Sequence, residues 1–168
     1  MSRLDKAIRR LEAQRALLDR ASADILARHR PSDGVVVELG LGNGRTYHHL
    51  RERLPGFRIV VFEREPTAHP ASTPEAGDLV VGEIEHAVPQ FCIKETARAV
   101  LIHADLGNGY ESYDREIERW LPGSIQALAQ PGAIVLSSTR LSHPRLEPQS
   151  HEITDYEYYR FRLTADCR

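Results

Sequence analysis

One stretch constrains this chain more than any other: Gly34-Val35-Val36-Val37-Glu38-Leu39-Gly40-Leu41-Gly42-Asn43-Gly44-Arg45-Thr46. The run from Val35 to Val37 has the β-branched, unalternating look of a strand covered on both faces. It closes on a carboxylate, Glu38. Three glycines then stand at alternate positions, ahead of a segment with helical character. Alternating glycines remove side chains where a backbone turns sharply and lets a ligand come close. The following helix would aim its free N-terminal amides, with their partial positive charge, into the same crevice. The stretch reads as a loop for a nucleotide-like cofactor.

The glycine spacing narrows the cofactor. A dinucleotide loop follows G-x-G-x-x-G, and the last glycine permits close helix–strand packing. Counted from Gly40 that position is Arg45, and counted from Gly42 it is Tyr47, so neither frame fits. A phosphate loop needs G-K-[ST], which is absent. What remains is acid-x-Gly-x-Gly-x-Gly.

The rest of the chain supplies the scaffold. Residues 2–29 carry Leu4, Ile8, Leu11, Leu18 and Ile25 at helical steps, with Ser2 placed to cap the start. The expectation is a helix covering the sheet with that face, or a dimer arm using the same face. Thr46–Leu54 reads as a helix closed by Pro55-Gly56. Residues 57–62 read as a second strand ending in Glu63. Pro66, Pro70 and Pro74 leave room for only a short helix or a loop up to Gly77. Leu79–Val81 is a third strand ending at Glu83, and 84–94 holds a short helix. Residues 99–103 form a fourth strand leading to Asp105. Tyr113–Ala129 reads as a helix broken at Pro122-Gly123. Gln130-Pro131-Gly132 turns into a fifth strand over 133–136. Residues 140–151 read as a loop, and 156–163 as a final strand.

Strands alternating with helices imply an α/β fold: a Rossmann-like, doubly wound, mostly parallel sheet in a single domain over 1–168, with an N-terminal helical segment at 1–30. Ligands of such sheets bind beyond the carboxyl ends of the strands. Glu38, Glu63, Glu83 and Asp105 all stand at or just past predicted strand ends, a recurrence that solubility does not require.

With these motifs in order, residues 34–138 resemble the class I S-adenosylmethionine-dependent methyltransferases, as a small bacterial branch. Glu38 to Gly44 stands at that family's first motif. Glu63 stands where the family places the acid that binds the ribose hydroxyls. Gly82-Glu83-Ile84 stands where an acid and the next amide hold the adenine. His103-Ala104-Asp105 stands beside the methionine moiety and the acceptor, and Pro131 to Leu136 matches the turn into the fifth strand. The resemblance implies S-adenosyl-L-methionine as cofactor. Its binding set here is Glu38, Gly40, Gly42, Asn43, Gly44, Arg45, Thr46, Glu63, Arg64, Glu83, Ile84, His103, Ala104 and Asp105. Arg45 is either a partner for the cofactor carboxylate or a solvated helix-surface arginine. The implied function is methyl transfer to an acceptor, with a small molecule favoured. The alternatives are a non-catalytic S-adenosylmethionine-binding protein and a nicotinamide-dependent oxidoreductase, the latter opposed by the missing G-x-G-x-x-G.

Acid chemistry suits this cofactor. A carboxylate accepts both hydroxyls of a ribose diol, each charge-assisted bond contributing about 1.5–3 kcal/mol. Displacement at carbon needs chiefly alignment, and orientation supplies about 7–11 kcal/mol in favourable cases. A base is required only where the acceptor must lose a proton. His103, Asp105 and Tyr110 are the catalytic candidates, against the plainer reading that His103 and Asp105 shape the pocket. Metal-dependent relatives carry an acidic pair after the fifth strand, where this chain has Ser137-Ser138-Thr139, so no metal is expected. His48 and His49 diverge around a helix and read as surface residues. His143 and His151 fall in a loop segment, either as part of a lid or, more plainly, as loop histidines with no chemical role. Tyr156, Tyr158 and Tyr159 supply packing area.

Composition excludes more than it assigns. The net charge of -2 gives no basic footprint for nucleic acid or an anionic membrane. No apolar run spans a bilayer and no signal-peptide core is present. Cys92 and Cys167 make neither a disulfide framework nor metal-ligand spacing. A cytoplasmic protein is expected. Residues 140–168 have room for little more than one strand, so the sheet edge would want covering, and a homodimer is expected on that ground.

Overall fold

A computed structural model describes residues 1–96, 98–107, 110–152 and 156–165. Its centre is a seven-stranded sheet. The strands are β1 (Val35–Leu39), β2 (Ile59–Glu63), β3 (Leu79–Val81), β4 (Ala99–Ala104), β5 (Ala129–Ser137), β6 (Leu146–Pro148) and β7 (Tyr159–Leu163). Their order is β3-β2-β1-β4-β5-β7-β6. The first five are parallel, and β7 runs antiparallel to both β5 and β6. The order reverses between β1 and β4, so the topological switch point lies beside the glycine loop.

Helices cover both faces. Helix α1 (Arg3–Leu26) and helix α2 (Arg45–Arg53) lie on one side, where Leu17, Leu18, Ile25 and Leu50 pack with Val36, Val61, Leu101 and Leu136. Helix α3 (Ile84–Lys94) and helix α4 (Glu111–Leu128) lie on the other, where Val88, Ile117, Leu121 and Ile125 pack with Val37, Phe62, Ile102 and Val135. Alternate residues of β1 and β4 therefore feed different cores, which is why these strands are apolar without alternation. Each fully buried Leu, Ile or Phe contributes about 1.5–3 kcal/mol.

Four expectations need correction. Helix α1 starts as expected, with Ser2 and Asp5 forming a reciprocal capping box. Its predicted face, however, divides. Leu18 and Ile25 are buried, while Leu4, Ile8 and Leu11 remain 68, 46 and 44 % exposed. The apolar repeat is continuous, but the sheet beneath it is not, and the first turns overhang. Helix α4 runs unbroken through Pro122. An interior proline costs about 3 kcal/mol, yet Leu121, Pro122, Ser124, Ile125 and Leu128 are all buried and hold the helix together.

The third correction is in the tail. Leu146–Pro148, inside the expected loop, forms β6, and the final strand starts at Tyr159 rather than Tyr156. The chain thus builds a two-stranded antiparallel closure after all. Three paired residues suffice for β6, too few for an alternating pattern to show. The fourth concerns the lid alternative for His143 and His151: His143 Nε2 lies 2.8 Å from Gln126 Nε2 and His151 Nε2 2.7 Å from the Tyr158 carbonyl, so both are tied to the fold. Cys167 lies outside the described residues.

Candidate active site

The carboxyl ends of the parallel strands form a crest of loops. The amide of Gly40 bonds the Phe62 carbonyl (2.9 Å), that of Gly82 bonds the Glu63 carbonyl (3.0 Å), and that of Asp105 reaches the Leu39 carbonyl (3.3 Å). These ties lock the glycine loop between the ends of β2 and β4. The three glycines have separate jobs, although all have positive φ. A Cβ on Gly40 would lie 2.8 Å from Leu106, and one on Gly44 only 2.4 Å from the Ser72 carbonyl oxygen, in the short 3-10 turn Pro70–Ser72. A Cβ on Gly42 would meet nothing within 4 Å. Gly42 alone faces open space, where a ligand has room to approach.

Two cavities flank this loop. The larger, about 470 Å³, lies on the α3–α4 side and is edged by Glu63, Glu83, Glu116, Ile117 and Trp120, among others. The smaller, about 210 Å³, lies towards α1 and is edged by Arg10, Gln14, Asn43, Arg45 and Thr46. Gly40, Gly42 and Asp105 belong to both walls.

Glu63 is anchored by the loop it faces. Its Oε2 accepts the amides of Leu41 (2.7 Å) and Gly42 (3.0 Å), and its Oε1 accepts that of Glu65 (3.1 Å). Burial works to raise its pKa, but bonds from the backbones of Gly42, Glu65, Leu41 and Arg64 outweigh burial and hold it below the usual 4.5. A preoriented anion therefore sits at the cavity edge. Arg64 and Glu83 face each other across the same rim at 3.8 Å. Ile84 opens α3, so its amide has no partner within the helix.

Asp105 is held from an unexpected quarter. Its Oδ2 accepts Arg10 Nη2 at 2.5 Å and Gln14 Nε2 at 2.6 Å, both from α1. Its Oδ1 is buried with no hydrogen-bond partner among the described residues. The sequence signal for Arg10 and Gln14 was absent, since a charged or amide residue on an amphipathic helix looks like its solvated side.

Glu38 and His103 are register partners on adjacent strands and both point to the α1–α2 face. Both are completely buried and edge neither cavity. The Thr46 hydroxyl donates to Glu38 Oε1, and His103 Nδ1 lies 3.3 Å from the same oxygen. His103 Nε2 is 2.6 Å from the Tyr158 hydroxyl. Burial pulls the His103 pKa down, but Glu38, with help from Asp105, outweighs burial and Arg10 and holds it above 6.5. Burial, then the Asp105 charge, pushes the Tyr158 hydroxyl well above 10.

The S-adenosyl-L-methionine methyltransferase family model matches residues 1–162. The chain belongs to this methyltransferase family. An S-adenosyl-L-methionine methyl transferase from Silicibacter pomeroyi DSS-3 is 38 % identical, with 96 % of this chain and 99 % of that one covered at a TM-score of 0.86. The O-methyltransferase TomG from Streptomyces achromogenes, in complex with its cofactor, is 19 % identical over 91 % of this chain and 80 % of its own, at a TM-score of 0.59. TrmN from Thermus thermophilus is 17 % identical over 88 % and 47 %, at 0.58. The last two share the fold. No curated protein matches.

The cofactor of this methyltransferase is S-adenosyl-L-methionine. The residues fit it on two counts: open space above Gly42 and an orphaned carboxylate oxygen on Asp105. Of the expected set, Gly40, Gly42, Glu63, Arg64, Glu83, Ile84 and Asp105 line the larger cavity, and Asn43, Arg45 and Thr46 the smaller. Glu38, Ala104 and His103 lie beneath the surface and line neither, and Gly44 packs on Ser72. Tyr110, at the N-cap of α4, is 72 % exposed and lines neither cavity, while Tyr113, one turn on, lines the larger. His49 is part-buried and bonds Asp19 at 3.0 Å. Among the described residues, no group of three or more His, Cys, Asp or Glu is placed to hold a metal ion.

Proposed function

We propose that this methyltransferase transfers the methyl group in line to a small-molecule acceptor, with the cofactor lying across the glycine loop. The observation that carries this reading is the pair of cavities meeting at Gly40, Gly42 and Asp105. The acid-edged larger cavity suits a ribose diol at Glu63 and an adenine at Glu83 and the Ile84 amide, flanked by apolar Ile84 and Ile117. The smaller cavity suits the amino-acid end: Arg45 and the loop amides for its carboxylate, Asp105 Oδ1 for its ammonium. The cofactor supplies an electrophilic methyl on a sulfonium, and the surrounding carboxylates favour that positive charge.

The chain's own residues then orient and exclude water. Leu106, Tyr113, Ile117 and Trp120 form the apolar wall of the larger cavity on the side where an acceptor would enter. His103, Asp105 and Tyr110 remain the named candidates for proton transfer; of these Asp105 alone edges a cavity. Incubation with S-adenosyl-L-methionine and a metabolite panel should release the demethylated cofactor with at least one acceptor. Tight binding without turnover across a broad panel would favour the non-catalytic reading. The charge balance speaks against a nucleic-acid acceptor. No helix among the described residues is long and apolar enough to cross a membrane, and a cytoplasmic location is part of the proposal.

A homodimer is also proposed, now on different grounds. The short β6 edge carries Pro148 and no longer calls for cover. The exposed stripe Leu4, Ile8 and Leu11 does. Sedimentation at micromolar concentration should show a dimer, and Ile8→Glu should dissociate it. A wild-type monomer at that concentration sinks the idea.

A further inference from the structure

Beneath the cavities lies a polar chain that the cofactor chemistry does not itself use. It starts at Thr46, the second residue of α2, whose hydroxyl bonds Glu38 Oε1. Glu38 is followed by His103 at 3.3 Å, and His103 by the Tyr158 hydroxyl at 2.6 Å. Gln14 of α1 faces that hydroxyl and donates 2.6 Å to Asp105 Oδ2. Five separate segments contribute: α1, β1, α2, β4 with the residue after it, and the approach to β7. Glu38, His103, Gln14 and Tyr158 are each at most 3 % exposed. Burying so many polar groups is costly unless each bond is kept. An apolar set of the same volume would be cheaper for stability alone.

The contacts run from end to end, the Glu38–His103 link being an ion-pair contact at 3.3 Å outside hydrogen-bond geometry. His103 Nδ1 faces Glu38, and His103 Nε2 and the Tyr158 hydroxyl share one hydrogen bond at 2.6 Å. The Gln14 amide N–H group faces the Tyr158 oxygen, a contact that opposes the rise of that hydroxyl's pKa, and donates to Asp105 Oδ2. Both ends of the chain are cavity residues: Thr46 lines the smaller cavity and Asp105 lines both.

We propose that His103 and Tyr158 are positioning residues, linking Thr46 at the glycine loop to Asp105 so that both ends of the cofactor site are set together. This rests on the site assignment above and deepens it. Tyr158 reaches the site from near the C-terminal strand, so β7 acts as part of the binding machinery as well as the sheet's closure. The chain also gives a reason for polar residues at the buried ends of β1 and β4, where the adjoining positions are apolar.

The test is a double-variant cycle on affinity for S-adenosylhomocysteine, measured by calorimetry. Thr46→Val and Tyr158→Phe remove one hydroxyl each, on either side of the Glu38–His103 pair, and share no contact. Each single variant should weaken binding about fivefold, the scale of one lost hydrogen bond. If the chain couples them, the double variant is much weaker in effect than the product of the two. Thr46→Ser keeps the hydroxyl and should bind like wild type, which guards against a folding failure in the valine variant. Multiplying losses, or unchanged affinity in Tyr158→Phe with only a lowered Tm, would overturn the proposal. Glu63→Ala separates the two levels. Lost affinity there with none in Tyr158→Phe removes the positioning role alone, whereas unchanged affinity in both removes the site assignment as well.

Discussion

The two carboxylates Glu38 and Glu63 end neighbouring parallel strands, yet they live in opposite surroundings. Glu63 stands at the cavity edge with three amides on its two oxygens and room for a ligand beside them. Glu38 is completely buried, bonded to Thr46 and set against His103, and sees neither cavity. The difference follows from position in the sheet. Strand β1 is central, flanked by β2 and β4 and covered by α1 and α2, whereas β2 is followed by the sparse 64–77 segment, which leaves its end open. A strand-end acid thus opens onto a cavity only where the crossover leaves it uncovered. Under a full helix layer it becomes a scaffold for other side chains.

Four experiments break or sharpen this contrast. The largest effect is expected at the loop between the two acids. Gly42→Val should weaken cofactor binding by about a hundredfold, two tenfold steps of ~1.4 kcal/mol, because its side chain would fill the open space above the loop. The fold should survive, since a Cβ there meets nothing, although its φ of +49° adds backbone strain of about 1–2 kcal/mol for a residue with a side chain. Normal affinity in this variant would remove the close-approach reading. Next, Glu63→Ala should lose about tenfold, ~1.4 kcal/mol, and unchanged affinity by calorimetry would show that the exposed acid is not the ribose ligand.

A smaller effect is expected from Arg10→Ala. The pair with Asp105 is short, but Arg10 is 40 % exposed, so its loss should cost only a few-fold in affinity, in keeping with ~0.2–1 kcal/mol for solvent-screened pairs. A hundredfold loss would mean that α1 carries the site rather than trims it. The smallest effect separates the acids by pH. The folded pKa of Glu63 is lowered, so its stabilising contribution is present above 4.5 and is lost as pH falls through the depressed value. His103 has a raised folded pKa, so its contribution is full below 6.5 and is lost as pH rises through that raised value. Denaturant titrations of Glu63→Gln should converge on wild type in acid, and those of His103→Asn should converge in alkali. Convergence at the same end for both would contradict the assigned surroundings.

Much of this was legible in the chain because local rules and global packing agreed. The strand of Val35–Val37, the turn made by three glycines, and the recurrence of acids at strand ends all depend on residues close in sequence. What escaped were contacts across long separations. Arg10 and Gln14 stand 95 and 91 residues before Asp105, and nothing in an amphipathic helix marks which polar residue will turn inward. Tyr158 read as packing area, yet its hydroxyl reaches a histidine 55 residues earlier. Leu4, Ile8 and Leu11 matched Leu18 and Ile25 in period, and only the extent of the sheet separated the two groups.

By itself, then, the sequence determined the doubly wound class and the glycine loop, because backbone conformation, strand parity and turn chemistry are written in neighbouring residues, and its resemblance to the methyltransferases supplied the cofactor. Tertiary structure alone decided which acid edges a cavity, which glycine faces open space, and that α1 and the approach to β7 reach Asp105 and His103. Those outcomes depend on what covers each strand end, and coverage is a property of the packed layers rather than of any local stretch.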